Sequence, residues 1–366
     1  MLAAADLRRM RPAQGNAPGL AAAELAAQQP AFAGHEALYG FLQATRALYA
    51  GEDAHAILAL IPDAARQPSY SPLEFSRQVV RGMALGRAGD RNAAGFWREL
   101  LAGAGGLYQR PLVETALAQH WTNSGEMAAV FAPGSPVADT SVREVLLANV
   151  APPAILRATA RDAARPAHER DLARFTLLAR DLTRGFFADF GKDLALVEAD
   201  PPKDGTVGWM AGSDPVPLAL FVTGRWADDF ACPAIAQTAA VLARTPAAAR
   251  ARLCLGDFLR LNGFDQFERA ARPGAGEALG AGKDQFPGTA TGREPIYTAL
   301  IADRRTPPDL RAYALYRAVM CYAPSGSSDC SVAASEVPRT QRKAWFDELK
   351  KAYPGSAWAQ SLRYWW

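Results

Sequence analysis

Lysine and histidine are scarce in this chain of 366 residues, and long apolar runs are absent. Lysine occurs six times and histidine four times, so arginine supplies nearly all of the 40 basic side chains, against 37 acidic ones. The net charge of +3 is small, and no basic run alternates with aromatic residues, which argues against nucleic-acid binding. No stretch approaches the roughly 20 apolar residues that span a bilayer, so no membrane span is predicted.

Common catalytic motifs are missing as well. The chain has no H-E-x-x-H, no G-x-S-x-G and no lysine three residues after a serine. Gly282 and Lys283 suggest a phosphate loop, but Glu277 stands where that motif needs glycine and Asp284 where it needs Ser or Thr. The stretch His-Glu-Arg-Asp that begins at His168 is interpreted as solvated charges in the first turn of a helix. We therefore predict no catalytic, cofactor-binding or metal-binding residue.

The four cysteines are predicted to form disulfides. None belongs to a C-x-x-C pair, and the histidines lie far from them, so neither a zinc site nor a thioredoxin-like redox site is indicated. The turn-forming Pro-Ser-Gly-Ser stretch between Cys321 and Cys330 can bring their Cα atoms to the approximately 5.5 Å that a disulfide needs. Cys232 and Cys254 then pair by elimination, with two buried thiols as the alternative.

The cysteine pattern also bears on location. An even number of cysteines without metal spacing favours an oxidising compartment, so we predict a periplasmic protein. The first residues, MLAAADLRRM, contain no signal peptide and suit a mature amino terminus. The abundance of alanine and arginine is typical of a GC-rich bacterial genome.

Helical stretches are followed by glycines at nearly constant spacing. Gly51, Gly89 and Gly125 lie 38 and 36 residues apart, and each precedes an acidic residue and a second apolar stretch. Glycine can adopt the left-handed conformation that ends a first helix, and the acidic residue suits the start of a second. Two further turns are predicted at Gly191 and Gly263, which lie 66 and 72 residues after the preceding turn glycine.

Each unit is predicted to be a helical hairpin with one apolar face. Apolar residues recur three and four positions apart, which indicates the buried side of each helix. In the second unit they are Val79, Met83 and Leu85 before the turn, and Phe96, Trp97, Leu100 and Leu101 after it. One hairpin cannot bury its own apolar face, so neighbouring hairpins must stack. The predicted fold is all-α: a superhelical solenoid of helical hairpins with irregular loop insertions.

The pattern resembles the tetratricopeptide-repeat superfamily in a divergent form. The stretch ALGRAGDRNAAGFWRELL matches with Gly86, Gly89, Ala93 or Ala94, and Trp97, and RKAWFDELKKAYPGSAWAQSL matches with Phe346, Leu349 and Pro354. The YPGSAWA junction is similar to those of periplasmic repeat lipoproteins of the outer-membrane assembly type. Over most of the chain the resemblance is one of period only, and the period exceeds the family's usual value of about 34. It implies a right-handed solenoid whose concave face binds a peptide or protein, with no catalytic residues.

Four regions are predicted: an extension over 1–30, helical repeats over 31–200, an irregular connecting segment over 201–230, and helical repeats with a disulfide-closed loop and an aromatic capping segment over 231–366. A break in a repeat array is where a functional loop is expected. The candidate ligand or partner contacts in that break are Trp209, Trp226, Asp228 and Asp229, and a structured crossover is the alternative. Trp365 and Trp366 end an aromatic segment that either caps the last repeat or contacts a partner.

These observations predict a non-catalytic protein-binding or scaffolding component of a Gram-negative cell envelope. Its partner would be another envelope protein or peptide, or the other subunits of a larger assembly. No cofactor and no nucleic-acid partner is expected. The alternative is a helical-solenoid envelope enzyme or glycan-binding protein with its cleft near residues 201–230.

Overall fold

The computed structural model describes residues 20–198, 206–207, 216–222, 230–265, 279–280, 282–324, 330 and 337–366. As predicted, the regular secondary structure of these residues is almost entirely helical. Strand among them is limited to β1 (Thr206–Val207) and β2 (Val216–Pro217), which pair antiparallel. The chain forms two compact units that divide between Arg143 and Glu144. The predicted region boundaries at residues 30, 200 and 230 stay predictions.

The first unit is built from short and medium-length helices. They are α1 (Ala22–Ala27), α2 (Glu36–Tyr49), α3 (Ala54–Leu60), α4 (Pro72–Arg87), α5 (Ala93–Gly103), α6 (Gln109–Asn123) and α7 (Ala128–Phe131), with a 3-10 turn over Gln29–Phe32. Helix α8 (Thr140–Asn149) spans the boundary between the units.

Local sequence sets the ends of these helices. Helix α4 begins after Ser71, whose hydroxyl accepts a hydrogen bond from the Glu74 N–H at 3.2 Å. Helices α2, α4 and α6 end before Gly51, Gly89 and Gly125, which have left-handed φ values of 73°, 66° and 81°. The N–H after each glycine donates to the carbonyl five residues earlier, at 2.7 to 3.0 Å. The first three predicted turns are therefore confirmed.

Helices of the first unit pack on their neighbours in chain order. Each helix from α2 to α6 contacts the next, and α4 also contacts α2 and α6. Gly82 of α4 lies against the indole ring of Trp97 in α5, so closely that a Cβ on Gly82 would overlap the ring. Gly86, one turn later, has open space beside it. The small residue that contacts the aromatic side chain of the second helix is thus Gly82 rather than Gly86, which the resemblance indicated.

The second unit continues with helices that also pack in sequence. They are α9 (Pro153–Arg161), α10 (Ala167–Thr183), α11 (Phe187–Asp193), α12 (Ala195–Glu198), α13 (Ile235–Arg244), α14 (Ala249–Leu261), α15 (Arg293–Ala302), α16 (Pro308–Met320), α17 (Arg339–Ala352) and α18 (Ala357–Ser361). Helix α9 packs on α10 and α10 on α11, and each helix from α13 to α16 packs on the one that follows. None of the described helices is long and apolar enough to cross a membrane.

The fourth turn lies six residues before its predicted position. Helix α10 ends at Thr183, Gly185 has a left-handed φ of 78°, and the Phe186 N–H donates to the Asp181 carbonyl at 2.7 Å. Gly191 lies inside α11, so its assignment to the turn was wrong. The apolar period continues through Gly185 on both sides, which hid the helix end in the sequence. At Gly263, with φ 69°, the fifth predicted turn is confirmed.

The four cysteines form the two predicted pairs. Cα atoms lie 5.5 Å apart in Cys232–Cys254 and 5.4 Å apart in Cys321–Cys330. Cys232 lies in the non-helical segment before α13, while Cys254 lies within α14. Because the chain before α13 is not helical, it can place Cys232 beside Cys254.

Candidate functional site

The turn glycines place three helices of the first unit in a common register. Helices α2, α4 and α6 each end at a glycine of the same conformation, so positions can be counted back from Gly51, Gly89 and Gly125. The residues four and seven positions before these glycines are all buried: Ala47, Leu85 and Trp121, and Ala44, Gly82 and Ala118. One face of every first helix therefore packs inward.

The opposite face of the same helices carries exposed apolar side chains. Tyr49, Met83 and Leu112 are 42%, 46% and 40% exposed. They stand two, six and thirteen residues before their glycines, which at 3.6 residues per turn places them within about 40° of one another around the helix. The sequence assigned Met83 to the buried face, and that prediction was wrong. A methionine inside an apolar period is indistinguishable from a core residue until the packing is known.

Two more large apolar residues precede helix α6. Leu107 and Tyr108 are each 80% exposed and follow a Gly-Gly pair. The side-chain oxygen of Gln109 accepts the Gly106 N–H at 3.0 Å, and the Tyr108 carbonyl accepts the Leu112 N–H at 3.3 Å. Tyr108 and Leu112 are thus one helical turn apart on the same side. We call Tyr49, Met83, Leu107, Tyr108 and Leu112 the apolar face.

Charged side chains on these helices are engaged locally. Arg110 lies 2.8 Å from Glu114, and Arg77 lies 2.6 Å from Glu74. The other Glu114 oxygen accepts backbone N–H groups just before helix α8, at 2.8 and 2.6 Å. Burial lowers the pKa of His120 in α6, so its imidazole is neutral at neutral pH. The apolar face therefore offers contact area and two tyrosine hydroxyls.

The second unit contains a buried pair of carboxyl groups. Asp181 of α10 and Asp193 of α11 are 1% and 2% exposed. Arg157 of α9 binds Asp193 through three hydrogen bonds: Nε donates to Oδ1 at 2.8 Å and to Oδ2 at 3.0 Å, and Nη2 donates to Oδ2 at 2.7 Å. Asp181 Oδ2 has no hydrogen-bond partner among the described residues. Burial, followed by the charge of Asp193, raises the pKa of Asp181 to about 8.

This pair can hold a proton at neutral pH, as a general acid would. Both carboxyl groups are nevertheless almost fully buried, and Arg157 binds both oxygens of Asp193. Asp181 also occupies the position four residues before Gly185, where the first unit has Ala47, Leu85 and Trp121. The carboxyl pair thus replaces an apolar contact between helices, and its effect falls on stability.

The charges after Pro166 are not all solvated. Glu169 is completely buried and lies 3.9 Å from Arg165, which corrects the predicted first-turn surface charges. His168 does face solvent, and its Nε2 lies 2.7 Å from Glu144. Consecutive residues on a helix differ by about 100° in direction, so one of His168 and Glu169 can be buried and the other exposed. The sequence does not show which of the two directions is covered by a neighbouring helix.

The glycine-rich stretch around Lys283 is anchored where the structure describes it. Arg180 of α10 and Arg184, the residue that follows the end of α10, both bind Asp284, at 2.9 and 2.5 Å. Arg184 also donates to the Phe286 carbonyl at 2.9 Å, and both guanidinium groups lie over the Phe286 ring. Asp284, the residue that departs from the phosphate-loop motif, thus fixes this segment on α10.

A second buried polar cluster joins α14 and α16. The Tyr313 hydroxyl donates to Asp257 at 2.5 Å, and Arg317 donates to the Tyr313 oxygen at 2.7 Å. Burial raises the pKa of Tyr313, so the hydroxyl stays protonated. The Tyr313 ring stacks on Phe230 at 4.1 Å and contacts Trp358. Each member has a partner within the cluster, which is therefore structural.

The predicted site residues meet different outcomes. Trp365 and Trp366 are partly buried against the core of α15 to α18, Arg339 lies 5.7 Å from the Trp365 ring, and Arg342 donates to the Trp366 carbonyl at 3.0 Å. These contacts are those of a cap, and partner contact stays a prediction. Trp209, Trp226, Asp228 and Asp229 lie outside the described residues. Within the described residues, no group of three or more His, Cys, Asp and Glu could hold a metal.

Sequence reasoning missed the apolar face and the carboxyl pair. Counting back from each turn glycine would have placed Tyr49, Met83 and Leu112 on one side of their helices, and Asp181 in a position otherwise apolar. Leu107 and Tyr108 had a local signal, two large apolar residues after Gly105 and Gly106. Comparison with known proteins adds no assignment: no family model, no curated protein and no solved structure matches this chain.

Proposed function

We propose that this protein is a non-catalytic binding or scaffolding component of the bacterial cell envelope, which holds a partner protein or peptide on its helical repeats. The observation that carries the proposal is the apolar face of the first unit. Leu107 and Tyr108 are adjacent and 80% exposed, and helices α2, α4 and α6 each add one exposed apolar residue at a similar angle around the helix axis, away from the buried residues. Contiguous exposed apolar residues mark interaction sites, and tyrosine is enriched among the residues that dominate binding energy.

The proposed arrangement is a tetratricopeptide-like solenoid. Two glycine–aromatic contacts support it, because each joins a first helix to a helix that follows it. Gly82 lies against Trp97, and Gly256 lies against Tyr297, whose hydroxyl oxygen and nearest ring atoms would lie 3.0 to 3.4 Å from an added Cβ. Both glycines stand seven residues before a left-handed turn glycine. In such a solenoid the first helices line the concave face, which would put the apolar face where a partner segment lies.

The proposed location is the periplasm. Both cysteine pairs have disulfide spacing, and no cysteine among them is left free. Structural disulfides persist in oxidising compartments and are rare in the cytosol. Separation of periplasmic from cytosolic fractions of the host bacterium, followed by detection of the chain, tests this assignment directly.

Site-specific photo-crosslinking in the host bacterium tests the binding proposal. A benzophenone amino acid replaces Tyr108 or Met83, and in the control it replaces Val241, which is 37% exposed on α13. We expect one and the same partner to be joined from positions 108 and 83 and not from 241. Co-purification of that partner should be lost in Leu107→Ser/Tyr108→Ser and kept in Val241→Ser.

The substitutions at Leu107 and Tyr108 change largely exposed side chains, so the free energy of unfolding should stay within about 0.5 kcal/mol of the parent value. Equal capture of the partner by the parent and the Leu107→Ser/Tyr108→Ser variant would contradict the proposal. A benzophenone at Trp226 examines the competing cleft near residues 201–230, and adducts formed only there would favour the glycan-binding or enzymatic alternative.

A further inference from the structure

A hollow near the start of the first unit is separate from the apolar face. It has a volume of about 440 Å³, and its lining includes Pro30, Phe32, Ala33, Glu36 and Tyr39. The rings of Phe32 and Tyr39 lie 5.4 Å apart and are themselves buried. Pro30 and Ala33 are exposed, so apolar side chains form part of the wall as well as the floor, next to the polar side chain of Gln29.

A single carboxylate stands in this apolar lining. Gly34, with a left-handed φ of 78°, reverses the chain ahead of helix α2, and its N–H donates to Glu36 Oε1 at 2.8 Å. Hydrogen bonds from the backbone N–H groups of Glu36 itself and of Gly34 hold the pKa of Glu36 below its usual value. The carboxylate is therefore ionised at neutral pH and fixed in position.

The segment that forms the hollow carries no lysine or arginine of its own, and its one basic residue is His35. Residues 20–45 include Glu24 and Glu36 but no lysine or arginine. Glu24 does not line the hollow and accepts the Ala21 N–H at 2.9 Å. Charge complementarity thus favours a cationic occupant, while the apolar lining favours a hydrocarbon stem. Arginine and lysine side chains combine these two properties, since they bury their methylene groups and keep the charged end near the surface.

We propose that this hollow binds an arginine or lysine side chain of a partner polypeptide, with the methylene stem against Pro30 and Phe32 and the cationic end at Glu36. This inference rests on the proposed binding function and specifies the chemistry of the partner. The partner would then need a basic residue for the hollow in addition to apolar residues for the apolar face.

The probe is the tripeptide Ac-Ala-Arg-Ala-NH2, compared with Ac-Ala-norleucine-Ala-NH2, which keeps a hydrocarbon chain and lacks the charge. The full chain is labelled with 3-fluorotyrosine, and the Tyr39 fluorine resonance is assigned with Tyr39→Phe. We expect the arginine peptide to shift the Tyr39 resonance saturably in the millimolar range, with the norleucine peptide binding two- to fivefold more weakly. That ratio corresponds to one exposed ion pair.

Two variants separate the hollow from general charge effects. Glu36→Gln should remove the preference for arginine over norleucine, whereas Glu24→Gln, which removes the other carboxylate of the same segment, should keep it. Equal affinities for the two peptides in the parent chain, equal losses in both variants, or no saturable shift would each overturn the inference. These measurements need no native partner, so their failure would leave the crosslinking result at Tyr108 and Met83 unaffected, and the reverse also holds.

Discussion

Replacing Asp181 with asparagine should make the protein more stable at neutral and alkaline pH. The folded-state pKa of Asp181 is about 8, whereas an aspartate in an unfolded chain titrates near 3.8. Below pH 4 Asp181 is protonated in both the folded and the unfolded state, so its ionisation costs no stability there. Between pH 4 and pH 8 the folded state binds more protons than the unfolded state, so stability falls as the pH rises. The asparagine side chain does not ionise, so the variant lacks this fall.

The size of the effect follows from the same two pKa values. Each pH unit between them removes about 1.4 kcal/mol, which gives an upper bound of about 5 kcal/mol at pH 8. Interaction with Asp193, which is itself held by Arg157, spreads the titration over the pair and reduces the gain. We expect the Asp181→Asn variant to be more stable by about 2 to 4 kcal/mol at pH 8 and to equal the parent within about 0.5 kcal/mol near pH 4.

Urea unfolding followed by tryptophan fluorescence, at a series of pH values from 4 to 8.5, measures this difference. Asp347→Asn is the matched control, since Asp347 is an aspartate of the same unit that is 53% exposed and pairs with Lys343 at 2.5 Å. Its stability should follow the pH dependence of the parent. If Asp181→Asn were no more stable than the parent at pH 8, or if the difference stayed constant down to pH 4, the assignment of a buried proton would be refuted.

Two further predictions concern packing and the covalent links. Gly82→Ala should lower the free energy of unfolding by about 1 to 3 kcal/mol, because its Cβ would overlap Trp97. Gly86→Ala should leave the free energy of unfolding unchanged or raise it by up to about 1 kcal/mol. Thermal unfolding of the two variants measures both effects. Replacing Cys321 and Cys330 together by serine should lower the free energy of unfolding, measured in urea under oxidising conditions, by about 2 to 3 kcal/mol. If the same difference between the two proteins persisted under reducing conditions, the disulfide would not be its cause.

The helical hairpins were predictable because their ends depend on local chemistry. Gly51, Gly89 and Gly125 end their helices through backbone geometry that only the glycine and the next few residues determine. The turn at Gly185 was not predicted because apolar residues recur at helical spacing on both sides of it, whereas Gly191 is followed by the polar residues Lys192 and Asp193. A glycine thus predicts a helix end reliably where the residues after it are polar rather than apolar.

The candidate site was less predictable because exposure is a property of neighbours. Met83 has the spacing of a core residue, and only the packing of α4 on α2, α5 and α6 leaves it in solvent. Glu169 shows the opposite case, a charged residue in a first turn that the neighbouring elements cover completely. Helical spacing indicates which residues share a side, but it does not say which sides are covered.

By itself the sequence determined the helical class, the positions of most turns and the cysteine partners, since each depends on short-range preferences or on elimination among four residues. Only the tertiary structure decided that Tyr108 faces solvent, that Gly82 receives Trp97, and that Asp181 is enclosed beside Asp193. Those outcomes depend on contacts between different helices, where burial changes both the accessibility of a side chain and the free energy of its charge.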